Sequence, residues 1–151
     1  LYISDFNSKV LTKAFSDAGL TFTPLFQAHP HVFVGKHHPL AQHQSLTPDD
    51  LQEFPRYSFE QGTNNSFFFS EELTNLLTNH NGYTISTGVR SGEMGQSDIV
   101  AIPLEVEETM TVGYVYHAER SLSPLAKRYL EKLRMHIEAN PTVNTYYPYK
   151  Q

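Results

Sequence analysis

Runs with a period of two alternate along this chain with runs near a period of 3.6, and that limits it to folds in which sheet and helix pack on each other. Leu1–Ser4, Leu20–Ala28, His31–Lys36, Tyr57–Phe59, Gly82–Ser86, Ile99–Leu104 and Thr109–His117 read as strands. Pro24 interrupts the second of them, and HVFVGK puts Val32 and Val34 on one face and Phe33 on the other. Between the strands come helical stripes. Asn7 caps one carrying Val10, Leu11, Ala14 and Phe15, and Gly19 ends it. Ser45–Glu53 is a short helix with Thr47 as N-cap, Pro48 at the first helical position and Asp50 at the third. Ser66–His80 carries Phe67, Phe68, Leu73, Leu76 and Leu77. Ser123-Pro124 opens the last helix, with Leu125, Ala126, Tyr129, Leu130 and Leu133 as its apolar face. The stretch 87–98 reads as loop, and the Tyr- and Pro-rich tail from Pro141 as extended chain. The class is α/β. The final strand and helix follow a finished middle lobe, which predicts a chain that leaves one lobe, builds another and returns.

The most polar junction in this pattern is Gln61-Gly62-Thr63-Asn64-Asn65-Ser66, where a short strand feeds a helix. A helix start leaves backbone N–H groups unpaired and carries partial positive charge, so a carboxylate or phosphate finds several donors there. The same residues serve as a plain N-cap, and by chemistry alone capping is the commoner role.

Composition removes several function classes. The 151 residues contain no Cys, which excludes disulfides, thiolate metal sites and a Cys nucleophile, and fits a reducing cytoplasm. Net charge is -5 with scattered basic residues, a poor footprint for direct binding to nucleic acid. No apolar run is long enough to span a membrane, and LYISDFNSKV does not read as a signal peptide. The eight His invite a metal reading, since His29, His31, His37 and His38 lie close in sequence. Zinc needs three or four ligands with supporting partners, and no third ligand is fixed by spacing, so no metal or other cofactor is expected. No nucleophile elbow is present, Ser66 has no base marked beside it, and Glu71-Glu72 reads as dipole-complementing acids. No catalytic residue is assigned.

The run VFVGKHHPLAQHQSLTPDDLQEFPRYSFEQG resembles the middle of the effector-binding domain of LysR-type transcriptional regulators. The shared features are a strand ending in His38-Pro39-Leu40-Ala41, a short helix with Asp50-Leu51, and Pro55 before the next strand. Val112–Leu133 is similar to the family's returning strand and final helix. The resemblance implies a two-lobed fold like the type 2 periplasmic binding proteins, with an effector held between the lobes. Carried over by position, the first lobe comprises residues 1–41 and 111–138, the second 50–105, and the tail 139–151. The two crossings would fall near Ala41–Leu51 and Leu104–Thr111. The resemblance makes Gln61, Gly62, Thr63, Asn64 and Ser66 effector contacts, with Ser86 and Thr87 as weaker candidates. It implies a small-molecule partner, for which a helix N-terminus favours an anion although a neutral polar molecule also fits. It implies a homodimer or homotetramer with exposed apolar helix faces, and DNA contact only through a winged helix-turn-helix not present in this chain. Two departures stand out. The family's opening strand–helix–strand–helix stretch is missing from the first lobe, and His80-Asn81-Gly82 joins directly where the family usually has another strand and helix. Rival readings are a periplasmic solute receptor of the same fold and a small metal-dependent enzyme.

Overall fold

The computed structural model describes residues 2–4, 8–57, 71–88, 98–139 and 147–148. In chain order its elements are β1 (Tyr2–Ser4), α1 (Ser8–Asp17), β2 (Leu20–Ala28), β3 (His31–Gly35), α2 (Glu71–Asn79), β4 (Thr84–Ser86), β5 (Ile99–Pro103), β6 (Met110–His117), α3 (Pro124–Ala139) and β7 (Tyr147–Pro148). Single 3-10 turns at Pro39–Gln42 and Pro48–Leu51 follow β3. The fold is mixed α/β and forms two compact units, residues 1–28 with 108–151 and residues 29–107.

The first unit is an antiparallel sheet in the order β1-β6-β2-β7. Its packing turns on one extra residue. Leu20–Pro24 pair with His117–Gly113 and Phe26–Ala28 pair with Val112–Met110, so Leu25 has no partner on β6. A bulge of this kind reverses the side-chain phase of a strand. Phe22 and Phe26, which a regular strand would place on one face, therefore point to opposite faces. Phe22 stacks on Phe15 of α1, with ring centroids 6.4 Å apart. Phe26 and Ala28 pack with Ile137 of α3, joined by Val112 and Leu133. One strand thus serves helices on both sides of its sheet. Pro24 lies at the bulge, where a missing N–H is tolerated, and Pro148 lies on the edge strand.

The buried stripe of α3 is narrower than its sequence implies. Ile137 is buried and Ala126, Leu130 and Leu133 are half-buried, whereas Leu125 and Tyr129 are 78% and 66% exposed. In α1, Leu11 and Phe15 are half-buried and Ala14 is exposed. Gly19 has φ +70, the left-handed conformation that ends a helix cheaply only at glycine.

The second unit is built on β3, the middle strand of β4-β3-β5. All five residues of β3 are buried. Val32 and Val34 pack with Leu40, Leu46, Leu51, Tyr83 and Ile102, while Phe33 faces Leu73 and Leu77 of α2 and Ile99. A strand covered on both faces reads as a continuous apolar run, which is what VFV is. The compact units group these residues differently from the expected lobes: β3 pairs with β4 along one edge and β5 along the other and lies in the unit 29–107, whereas the expected first lobe runs to residue 41. The chain passes between units at 28/29 and 107/108; the second boundary lies inside the expected crossing Leu104–Thr111, and the first does not lie in Ala41–Leu51.

The expected helix at 45–53 is one 3-10 turn. The Asp50 carboxylate accepts from both the N–H and the hydroxyl of Thr47, each at 2.8 Å. Those two donors hold its acid below the usual carboxylate range. The start of the helix expected at Ser66 lies outside the described residues, as do Phe67 and Phe68. No helix among the described residues is long and apolar enough to cross a membrane.

Candidate functional site

Gln61, Gly62, Thr63, Asn64 and Ser66 lie outside the described residues. Ser86 and Thr87 are described, and they stand at one end of the β4-β3-β5 sheet. Ser86 closes β4 opposite His31, the first residue of β3, and Pro103 closes β5 opposite the same His31. Ser86 is half-buried and Thr87 is buried. The same end is tied together by backbone bonds. Leu104 N–H donates to Pro30 O at 3.0 Å, Leu46 N–H to Pro103 O at 2.9 Å, and Glu105 N–H to Leu46 O at 2.7 Å. The Ser45 hydroxyl donates to the Glu105 carboxylate.

His31 is the chemically informative residue here. It is only 4% exposed. Its Nδ1–H donates to the His29 carbonyl at 2.8 Å. Gly88, at φ +78, lies so close that a Cβ there would come within 2.5 Å of the His31 ring. Strand pairing, the His29 carbonyl and Gly88 together fix the imidazole. Burial disfavours its protonation and outweighs the His29 carbonyl bond, lowering its pKa from the ordinary value of 6.5. Nε2 is therefore a bare acceptor. The sheet end thus brings together an imidazole whose Nε2 has acceptor chemistry and the hydroxyl of Ser86. The signal in the sequence was the HPH spacing beside a fully apolar run, which places the second His at the mouth of a buried strand.

At the other end of β3, His38 is also buried. Its Nδ1 accepts from Leu40 N–H at 3.0 Å and its Nε2–H donates to Asn81 O at 3.0 Å. His43 turns Nδ1–H to the Leu40 carbonyl at 3.2 Å. Among the described residues, no three of His, Asp and Glu gather in a metal-binding geometry.

Comparison with known proteins gives the chain's family. The model of the LysR substrate binding domain matches residues 9–91. No curated protein sequence matches the chain. Among solved structures, the chain is similar to the effector-binding domain of QuiR in complex with shikimate, at TM-score 0.57 and 14% identity over 82% of this chain and 68% of that one. It is similar to HinK, a LysR family transcriptional regulator from Pseudomonas aeruginosa, at TM-score 0.58 and 11% identity over 86% of this chain. The regulatory domain of the N. meningitidis regulator MetR gives TM-score 0.58 and 13% identity over 88% of this chain and 71% of that one. The chain spans 57% of the HinK chain. At these identities the likeness is one of fold.

Proposed function

This chain belongs to the LysR substrate binding domain family, and from that membership we infer that it senses a small molecule for a transcription regulator and carries out no catalysis. The observation that carries the reading is the family match over residues 9–91, which takes in β3, residues 61–66 and β4. The effector binds in the cleft between the two lobes, through Gln61, Gly62, Thr63, Asn64 and Ser66, with Ser86 and Thr87 contributing from β4. A carboxylate on the effector suits the helix-start donors of the turn. The ligand acts by differential affinity for two arrangements of the lobes, with a coupling of about 1–3 kcal/mol typical of such proteins. A homodimer or homotetramer converts the change into altered DNA binding through the winged helix-turn-helix of the full regulator, in the cytoplasm.

The test is a melting-temperature screen against small carboxylic and hydroxycarboxylic acids, repeated on the double variant Thr63→Ala, Asn64→Ala. The variant is expected to keep its fold and lose the stabilisation given by the best compound. Unchanged stabilisation would remove the 61–66 turn from the site.

A further inference from the structure

The strongest device outside the effector contacts is the His38 imidazole, and its role stands whether or not the regulator reading holds. Both ring nitrogens are engaged, and their partners fix the tautomer. A carbonyl only accepts, so Nε2 carries the proton given to Asn81 O at 3.0 Å. A backbone amide only donates, so Nδ1 is the bare acceptor for Leu40 N–H at 3.0 Å. The ring also packs on Phe54, with centroids 4.6 Å apart. One side chain thus binds the start of the Pro39–Gln42 turn, the Phe54 ring and the connection from α2 to β4. That connection is conformationally demanding, since Asn81 sits at φ +49. We propose that His38 is a proton-operated latch that holds the α2–β4 connection against the Pro39–Gln42 turn and releases it on acidification.

A second proton on the ring has one place to go, Nδ1. It turns the acceptor of Leu40 N–H into a donor, so two N–H groups face each other in a buried site. The surrounding groups do not compensate. From the end of β3, Lys36 is paired with Asp98 at 2.6 Å and His37 is exposed. From the Pro39–Gln42 turn, His43 is directed at the Leu40 carbonyl. From the segment 48–56, Asp49, Asp50, Glu53 and Arg56 are exposed, and Asp50 is bound to Thr47. From the α2–β4 connection come the exposed His80 and the phenol of Tyr83, which lies in the apolar core beside Leu40. Among the described residues no carboxylate pairs with the His38 ring, so none of them rewards the imidazolium. Burial further disfavours the charged form.

The experiment is a nitrogen-15 NMR titration of the histidine-labelled 151-residue chain between pH 7.5 and pH 5, with amide exchange followed in parallel. The latch predicts the Nε2–H tautomer at pH 7.5. It predicts that protonation of His38 coincides with shifts of the Leu40 and Gly82 amides and a roughly fivefold fall in Leu40 protection, the worth of one ordinary hydrogen bond. An Nδ1–H tautomer at pH 7.5, a titration that leaves Leu40 unmoved, or a His38 that stays neutral until the chain unfolds would each overturn it. His38→Asn is the second arm. Asn caps the turn through its side-chain oxygen but has no ring to reach Asn81. The variant is expected to lose part of the pH dependence of melting, and retention of the full wild-type dependence overturns the latch.

Discussion

Two buried histidines make the stability of this domain depend on pH, and the sign follows from their environments. His31 and His38 are both less basic when folded than an exposed histidine, chiefly through burial. Below about pH 6.5 the unfolded chain binds protons that the folded chain refuses, so stability is full above that value and is lost as pH falls through the depressed folded values. Denaturant unfolding at pH 7.5 and pH 5 is expected to give a lower midpoint at pH 5, and equal midpoints would contradict the burial of both rings. A second residue, Gly113, tests the bulge. It lies opposite Pro24, and a Cβ built on it falls 2.3 Å from the Thr23 carbonyl and 2.6 Å from the Phe22 ring. Gly113→Ala must push backbone aside, at a cost of about 1–3 kcal/mol, read as a lower denaturant midpoint. Neither effect was legible in the sequence. A histidine in a strand pattern gives no sign of which carbonyl its ring meets, and a glycine in a strand does not say what backbone approaches it.

At the scale of elements, the pairing of β2 with β6 sets which face Phe26 and Ala28 present. Deleting Leu25 removes the unpaired residue and leaves Pro24 opposite Gly113 and Phe26 opposite Val112 in a regular ladder, so Phe26 and Ala28 keep the face they share with Ile137. The deletion is expected to keep cooperative unfolding, and Leu25→Ala to unfold cooperatively at a lower midpoint because Leu25 packs against the Phe26 and Ile137 cluster; loss of cooperativity in the deletion would contradict this register. In the second unit, α2 is anchored on Phe33 by Leu73 and Leu77. Leu77 is 1% exposed, and Leu77→Ala should cost about 2–5 kcal/mol in a urea titration. Most of these elements could be read from periodicity. The VFV run of β3, the Thr47-Pro48-Asp50 start and the Ser123-Pro124 start are local signals, and Ser123 Oγ does accept from Ala126 N–H at 3.1 Å. What periodicity could not supply was partnership. The bulge follows from pairing with β6, the placement of β3 in the second unit follows from pairing with β4 and β5, and the exposure of Leu125 and Tyr129 follows from where the sheet meets α3. Sequence patterns record which way a side chain points along its own element, and long-range pairing decides what it meets.

For the molecule as a whole, the chain belongs to the LysR substrate binding domain family, and the proposed recognition of a small solute with a change of shape rests on that membership. The seven candidate contacts came from a helix-start turn and from the end of β4. For Ser86 and Thr87 the fold adds a setting, a sheet end shared with the fixed imidazole of His31. A ligand that binds only the folded chain raises its melting temperature by mass action, with about 2.7 kcal/mol gained at a hundredfold excess over Kd. The most direct measurement is therefore calorimetric titration of the intact regulator with the acid that most raises its melting temperature, with DNA affinity measured at each saturation level. The account predicts one saturable site per chain, weakened in Thr63→Ala, Asn64→Ala, and a DNA affinity that changes as that site fills. Saturable binding that leaves DNA affinity the same at every occupancy, or that turns the acid into a product, would contradict it.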